Sequence, residues 1–202
     1  DESIVYDGPL IILLNSYSAS ASEIFAAALQ DYGRAIVVGA NTFGKGTVQT
    51  FVELDKLSPT RSAFFKDLGS VKLTIQKFYR INGGSTQHKG VIPDIKLPNK
   101  TDHLEVGEKY LDYALGWDTV KPLSYSQWYT QNLDIQKLAQ LSNNRISESD
   151  RYQSLYSHLS FIKKRSEESF VYLDAKTAIS KKLEANQVLD TYNASVTKIE
   201  NL

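Results

Sequence analysis

Leu10-Ile11-Ile12-Leu13-Leu14-Asn15-Ser16-Tyr17-Ser18-Ala19-Ser20-Ala21-Ser22-Glu23 is the stretch on which the fold turns. Its opening apolar run is far shorter than the roughly 20 residues a membrane-spanning helix needs, and it reads as a buried strand. Beyond the small residues, positions 21–32 carry Ile24, Phe25, Ala28, Leu29 and Tyr32 on one stripe. That spacing predicts a helix, with Gly33 where a C-terminal cap belongs. A strand passing through a tight junction into a helix is the repeating unit of a layered α/β or α+β domain.

Working outward, residues 35–38 read as a second buried strand, and 47–54 as a third with Val48 and Val52 on one face. Val71, Leu73 and Ile75 alternate with Lys72, Thr74 and Gln76, which predicts a strand with one wet face. Asn82-Gly83-Gly84 supplies a turn after it, and residues 57–69 read as an excursion between strands. After Pro98, glycine becomes scarce and Gln, Ser, Asn, Lys and Glu take over. Ile135, Leu138 and Leu141 form one helical stripe, and Tyr152, Leu155, Leu159 and Ile162 another. The expected organisation is an α/β unit over 1–98 and a mostly α-helical subdomain over 99–202.

The chain has 202 residues, 42% hydrophobic and 23% charged, a composition that builds a core and does not remain disordered. Lys+Arg and Asp+Glu both number 23, so no bulk field is available to hold a nucleic acid or an anionic membrane. There is no Cys, hence no disulfide or thiolate chemistry. The acidic start Asp1-Glu2-Ser3 and the lack of Met fit neither a signal peptide nor a translation start, so the chain reads as an excised portion of a longer protein.

Small residues around Ser20 let the backbone turn sharply and let a substrate approach. A hydroxyl there lies beside the free N–H groups and positive dipole end of the helix, a natural place to stabilise an oxyanion. The same residues, Ser20-Ala21-Ser22-Glu23, also fit the capping box S-x-x-E, in which Ser20 only closes the helix. A nucleophilic serine needs a base. His88, His103 and His158 are the histidines, and none stands in a compact glycine-rich setting near the first strands. Lys45 does, in Thr42-Phe43-Gly44-Lys45-Gly46-Thr47, between two predicted strands. A lysine aimed inward loses hydration of its ammonium form and becomes a usable base, whereas one aimed outward is a solvated loop residue. Residues 39–45 also match most of a phosphate-binding G-x-x-x-x-G-K. Gly46, however, replaces the metal-holding Ser/Thr, and a strand pattern follows where a helix should open, which argues against nucleotide binding.

Ser18-Ala19-Ser20-Ala21-Ser22-Glu23, with Lys45 of Thr-Phe-Gly-Lys-Gly-Thr-Val-Gln 25 residues after Ser20, resembles the signature of the C-terminal processing peptidases. The likeness continues through Ile75-Gln76-Lys77-Phe78-Tyr79-Arg80, Asn82-Gly83-Gly84-Ser85-Thr86-Gln87 and Lys89-Gly90-Val91-Ile92-Pro93-Asp94-Ile95, and is strongest to the tail-specific protease branch. It covers residues 8–98 strongly and the helical half more loosely.

The resemblance implies a crotonase/ClpP-like layered protease core, incomplete here, followed by a helical C-terminal extension. It implies a serine endopeptidase acting on proteins or peptides selected through their C-terminal tails, with no cofactor and no metal. By position, Ser20 is its nucleophile, Lys45 its base, the Ala21 N–H an oxyanion donor, and Gln49 the residue orienting the lysine. Asp31 falls where the branch has an aspartate implicated in activity. Eleven residues of helix span roughly 16 Å, so Asp31 cannot touch Ser20 along a continuous helix, and a pairing with Arg34 or another structural contact is the competing reading. The family's second oxyanion donor and its PDZ domain are not found in these residues. The implied partner is therefore the missing N-terminal, PDZ-bearing portion, and the implied location the periplasm or cell envelope, with peripheral association there. The alternative from a different class is a non-catalytic binding or scaffold domain on the same fold, with Ser20 merely a cap.

Overall fold

The computed structural model describes residues 4–57, 67–128 and 134–200, side chains being described as far as residue 195. Its elements run β1 (Ile11–Leu14), α1 (Ala21–Asp31), β2 (Ile36–Gly39), β3 (Thr47–Glu53), α2 (Leu54–Leu57), β4 (Ser70–Lys77) and β5 (Ile95–Lys96). A short 3-10 turn (Glu108–Tyr110) precedes α3 (Ile135–Ser147), α4 (Asp150–Ser166) and α5 (Ala175–Glu200). A parallel sheet with helices is thus followed by three C-terminal helices.

Strands β1, β2 and β5 form the parallel sheet in that order, with Ile11 opposite Ile36 and Val38 opposite Ile95. The return from β1 to β2 passes through α1, as parallel neighbours require a crossover. Strands β3 and β4 form a separate antiparallel pair, with a bulge between Val48 and Gln49. Leu14, Ala26, Ala27, Val37 and Val91 make the small core between α1 and the sheet, with Ile12 packed against it. Asp94 fastens β5 to this core: its carboxylate accepts the Val37 N–H at 2.8 Å and the Gln30 side-chain amide at 3.0 Å.

Within the α/β part, burial departs from the expected pattern in three places. The face α1 turns inward is Glu23, Ala26, Ala27 and Asp31, while Ile24 and Phe25 of the predicted stripe are exposed. Alanine methyls let the helix lie close on the sheet, and the two carboxylates are buried because specific donors meet them. In β1 only Leu14 is buried and Ile12 half-buried, while Ile11 and Leu13 face out, since α1 covers one side of the sheet only. Along β4 both faces are wet: Val71, Leu73 and Ile75 are exposed, because no described element lies over the β3–β4 pair. The excursion expected at 57–69 falls mostly on residues 58–66, outside the described residues.

In the helical half, Leu155, Leu159 and Tyr192 form a second core with Tyr152 against it, as the α4 stripe predicts. On α3 the inward residues are instead Ser142 and Ile146, with Leu138 half-buried and Ile135 and Leu141 exposed. The inner side of α5 is a helical series of buried and half-buried residues, Thr177, Lys181, Ala185, Val188, Tyr192 and Ser195. His158 of α4 stacks on Tyr192, ring centroids 5.1 Å apart.

Candidate active site

Ser20 stands between β1 and α1 with φ 56° and ψ −113°, a backbone conformation that a residue with a Cβ rarely holds. Such a residue costs on the order of 1–3 kcal/mol and persists only where its surroundings impose it. Here the imposition is visible on both sides: the Phe43 N–H donates to the Ser18 carbonyl at 2.9 Å, and the Ser20 N–H donates to Glu23 Oε2 at 2.8 Å. Both halves of the capping box are present, the Ser20 side chain facing the Glu23 N–H and the Glu23 carboxylate taking the Ser20 N–H, and the Glu23 N–H also bonds the Ser20 carbonyl oxygen at 2.9 Å. The Ala21 N–H, first of the helix, has no protein acceptor among the described residues.

Glu23 is the residue that sequence reasoning undervalued. Fully buried, it receives four donors: Ser20 N–H and Lys45 N–H (2.9 Å) on Oε2, Gly44 N–H (2.7 Å) and the Thr42 hydroxyl on Oε1. A buried carboxylate is tolerable only when its charge is met in this way. The consequence is geometric, since one side chain fixes the backbone of Ser20 and of Lys45 together. The S-x-x-E spacing announced one of these four donors; the other three lie about twenty positions further on and leave no local mark.

Lys45 sits between β2 and β3, half-buried, and makes no ion pair with a carboxylate among the described residues. Its flanking glycines are demanded by the segment 86–88, which passes against them. Gly44 has φ 86°, and a Cβ there would lie 2.9 Å from the His88 carbonyl carbon; a Cβ on Gly46 would lie 2.5 Å from the Gln87 amide nitrogen. Gln87, wholly buried, holds the other side of the loop by accepting the Gly46 N–H on Oε1 at 2.8 Å. Thr42 completes the frame, since its hydroxyl oxygen also accepts the Val91 N–H at 2.7 Å.

Gln49 lies on β3 just past the bulge, exposed, and among the described residues its side chain makes no hydrogen bond to Lys45. Bulges re-aim side chains, so this one sets the direction of Gln49 independently of the regular pleat. Asp31 closes the far end of α1 and is not brought to Ser20. Its carboxylate takes two hydrogen bonds from Arg80, 2.8 Å from Nε and 2.6 Å from the terminal nitrogen, and a third from the Asn82 amide at 3.2 Å. Arg34, the partner weighed from the sequence, turns instead to the carbonyls of Gly8 and Tyr6. Of the histidines, His88 comes nearest this loop through its backbone, its N–H donating to the Gly44 carbonyl at 2.8 Å.

Both halves of the chain match known protein families. The profile of peptidase family S41 covers residues 1–97, and that of the C-terminal domain of tail specific protease covers residues 101–200. The chain belongs to peptidase family S41. It is 42% identical over 180 residues to the tail-specific protease of Haemophilus influenzae, covering 87% of this chain and 25% of that one. To the carboxy-terminal-processing protease of Bartonella bacilliformis it is 40% identical over 105 residues, 52% of this chain and 20% of the relative. Among solved structures, the photosystem II D1 C-terminal processing protease is 37% identical, with a TM-score of 0.37 over 44% of this chain and 20% of that one. The chain therefore spans about a quarter or less of the relatives it matches, and within this serine protease family it carries the tail-specific type of C-terminal domain.

Proposed function

We propose that this chain is the catalytic portion of a serine endopeptidase that cleaves proteins or peptides chosen by their C-terminal tails. Lys45 takes the Ser20 hydroxyl proton as Ser20 Oγ bonds the peptide carbonyl carbon. The resulting oxyanion is held by the Ala21 N–H together with a donor from outside these residues. The carbon–nitrogen bond then breaks, Lys45 returns the proton to the leaving amine, and water releases the acyl group by the reverse path. Gln49, exposed and without a bond to Lys45 among these residues, is assigned to steady the lysine amine when the longer protease completes the site. Asp31 acts at a distance, through Arg80, as a positioning residue.

The observation that carries this reading is the shared Glu23 carboxylate, because a cap and a loop lysine with no joint task have no need to hang from one buried group. Exposed apolar residues on β1, on α1 and on the β3–β4 pair support a further element of the proposal. A preceding portion of the same protein, with a PDZ domain that captures tails by strand addition, packs on these faces and completes the site. The periplasm or cell envelope is the proposed location, by analogy with the family.

The test is Ser20→Ala in the longer protease, read by cleavage of an unstructured peptide and by labelling with a serine-reactive fluorophosphonate. Turnover and labelling should vanish while the circular dichroism spectrum is kept. A non-catalytic scaffold would show neither activity nor labelling before the substitution, and only a stability change after it.

A further inference from the structure

A pocket of about 170 Å³ opens beyond the carboxyl ends of the parallel sheet, walled by the turn after β2, the end of β5 and residues 101–110. Ligands of open α/β sheets gather at that edge, where the ends of the strands leave a crevice. Its lining is mostly polar, and three lysines, Lys89, Lys96 and Lys109, stand there against one carboxylate, Asp102. None of the three is ion-paired among the described residues. Lys89 lies over the Trp117 ring, 3.1 Å from its centroid, and Lys109 over Tyr110 at 4.8 Å, contacts that hold a cation without neutralising it. Asp102 is turned to its own loop, accepting the Asn99 N–H at 3.0 Å.

A second observation is independent of the charge. Ser16 and Thr101, each 9% exposed, also line the pocket, and their hydroxyls bond each other. The Asn99 side-chain amide donates to both oxygens, at 3.2 and 2.9 Å. The pair carries two hydroxyl protons, and the bond between them uses one. Whichever oxygen donates, the proton of the other has no acceptor among the described residues. A buried O–H left in that state is matched by a ligand that can only accept.

We infer that this pocket binds a small oxyanion of the phosphate class, either the free ion or a phosphoryl headgroup. The lysines concentrate anions in the crevice, and the spare hydroxyl proton gives one of the oxygens a fixed partner. Residues 40–43 of the G-x-x-x-x-G-K stretch wall the pocket, yet the site is not a phosphate loop. The amides such a loop would offer are already engaged: the Thr42 N–H on the Val91 carbonyl at 3.2 Å, that of Phe43 on Ser18, and those of Gly44 and Lys45 on Glu23. Side chains therefore hold the ion, and the inference does not depend on the peptidase reading.

The experiment titrates inorganic phosphate and, separately, glycerol 3-phosphate into the longer protease by calorimetry, with potassium chloride holding the ionic strength constant. Binding of inorganic phosphate identifies the free ion as occupant, and binding of the ester alone a phosphoryl headgroup. Lys96→Gln and Thr101→Val should each weaken the binding at least about tenfold, the loss of one charge-assisted hydrogen bond. Thr101→Ser keeps the hydroxyl and should bind as the unmodified protein does, which separates a direct contact from a general disturbance of the loop. Thermal melts in phosphate against chloride give a second reading should Thr101→Val fold poorly: the gain in Tm should shrink in Lys96→Gln. A gain of the same size in the unmodified protein and in Lys96→Gln is a general salt effect and overturns the site. Absence of binding by either probe, or binding undiminished in Lys96→Gln, overturns it equally.

Discussion

Ser20 and Lys45, 25 positions apart, hang by their backbone amides from one oxygen of Glu23, at 2.8 and 2.9 Å. The acid and the lysine are adjacent without being ion-paired, because the charge of Glu23 is met by three N–H groups and a hydroxyl. Glu23→Gln keeps the volume but turns one acceptor into a donor facing donors. It should cost about 2–3 kcal/mol in urea denaturation, since a hydrogen bond to a buried charge is lost and an N–H is stranded. In the longer protease it should also slow Ser20 labelling, which a purely structural carboxylate remote from the site would leave unchanged.

The positive φ of Ser20 separates two substitutions that otherwise look alike. Ala keeps the Cβ and the strain; Gly removes both. Ser20→Gly should therefore be more stable than Ser20→Ala by about 1 kcal/mol, even though glycine ordinarily loses stability against alanine. The comparison needs only two thermal melts, and an Ala variant as stable as the Gly variant would contradict the strained turn.

Asp31 and Arg80 form a pair with side-chain exposures of 7% and 17%. Asp31→Asn should destabilise by about 2–3 kcal/mol, because the guanidinium is left largely buried with a neutral partner. A double-mutant cycle with Arg80→Met should return a coupling of about 1–3 kcal/mol. Absence of coupling would contradict the pairing of Asp31 with Arg80.

Asp118 accepts a hydrogen bond from Lys77, and this above all holds its carboxyl below the ordinary range, with Tyr79 adding a weaker bond. A depressed folded value means the pair supports the fold above the unfolded carboxylate range and loses that support as pH falls through the folded value. An NMR titration should show Asp118 moving back up in Lys77→Met. An unchanged titration would assign the depression to another cause.

Element types were largely readable from apolar spacing: β1, α1, β2, β3 and β4 all form within a residue or two of their expected bounds. What spacing could not give was which face each presents. On α1 Ile24 and Phe25 point outward while the carboxylates of Glu23 and Asp31 turn inward beside Ala26 and Ala27, because burial there is decided by donors from residues 42–45 and from Arg80. On α5 the buried side mixes Thr, Lys, Ala, Val, Tyr and Ser, so no apolar stripe marks it. The serine and lysine segments were legible as motifs. The buried carboxylate linking them was not, since its partners converge only after β2 has returned alongside β1.

Glu108 lies in the stretch matched by the tail-specific C-terminal domain, yet its N–H bonds the Phe43 carbonyl at 2.9 Å and its carboxylate takes the Gln87 amide at 3.3 Å. Gln87 in turn grips Gly46. Severing the polypeptide where the two family matches meet would thus pull a strut from beneath the lysine turn, and a shortened variant ending near residue 98 is a poor surrogate for the whole. The helical appendage begins as scaffolding for the loop it follows.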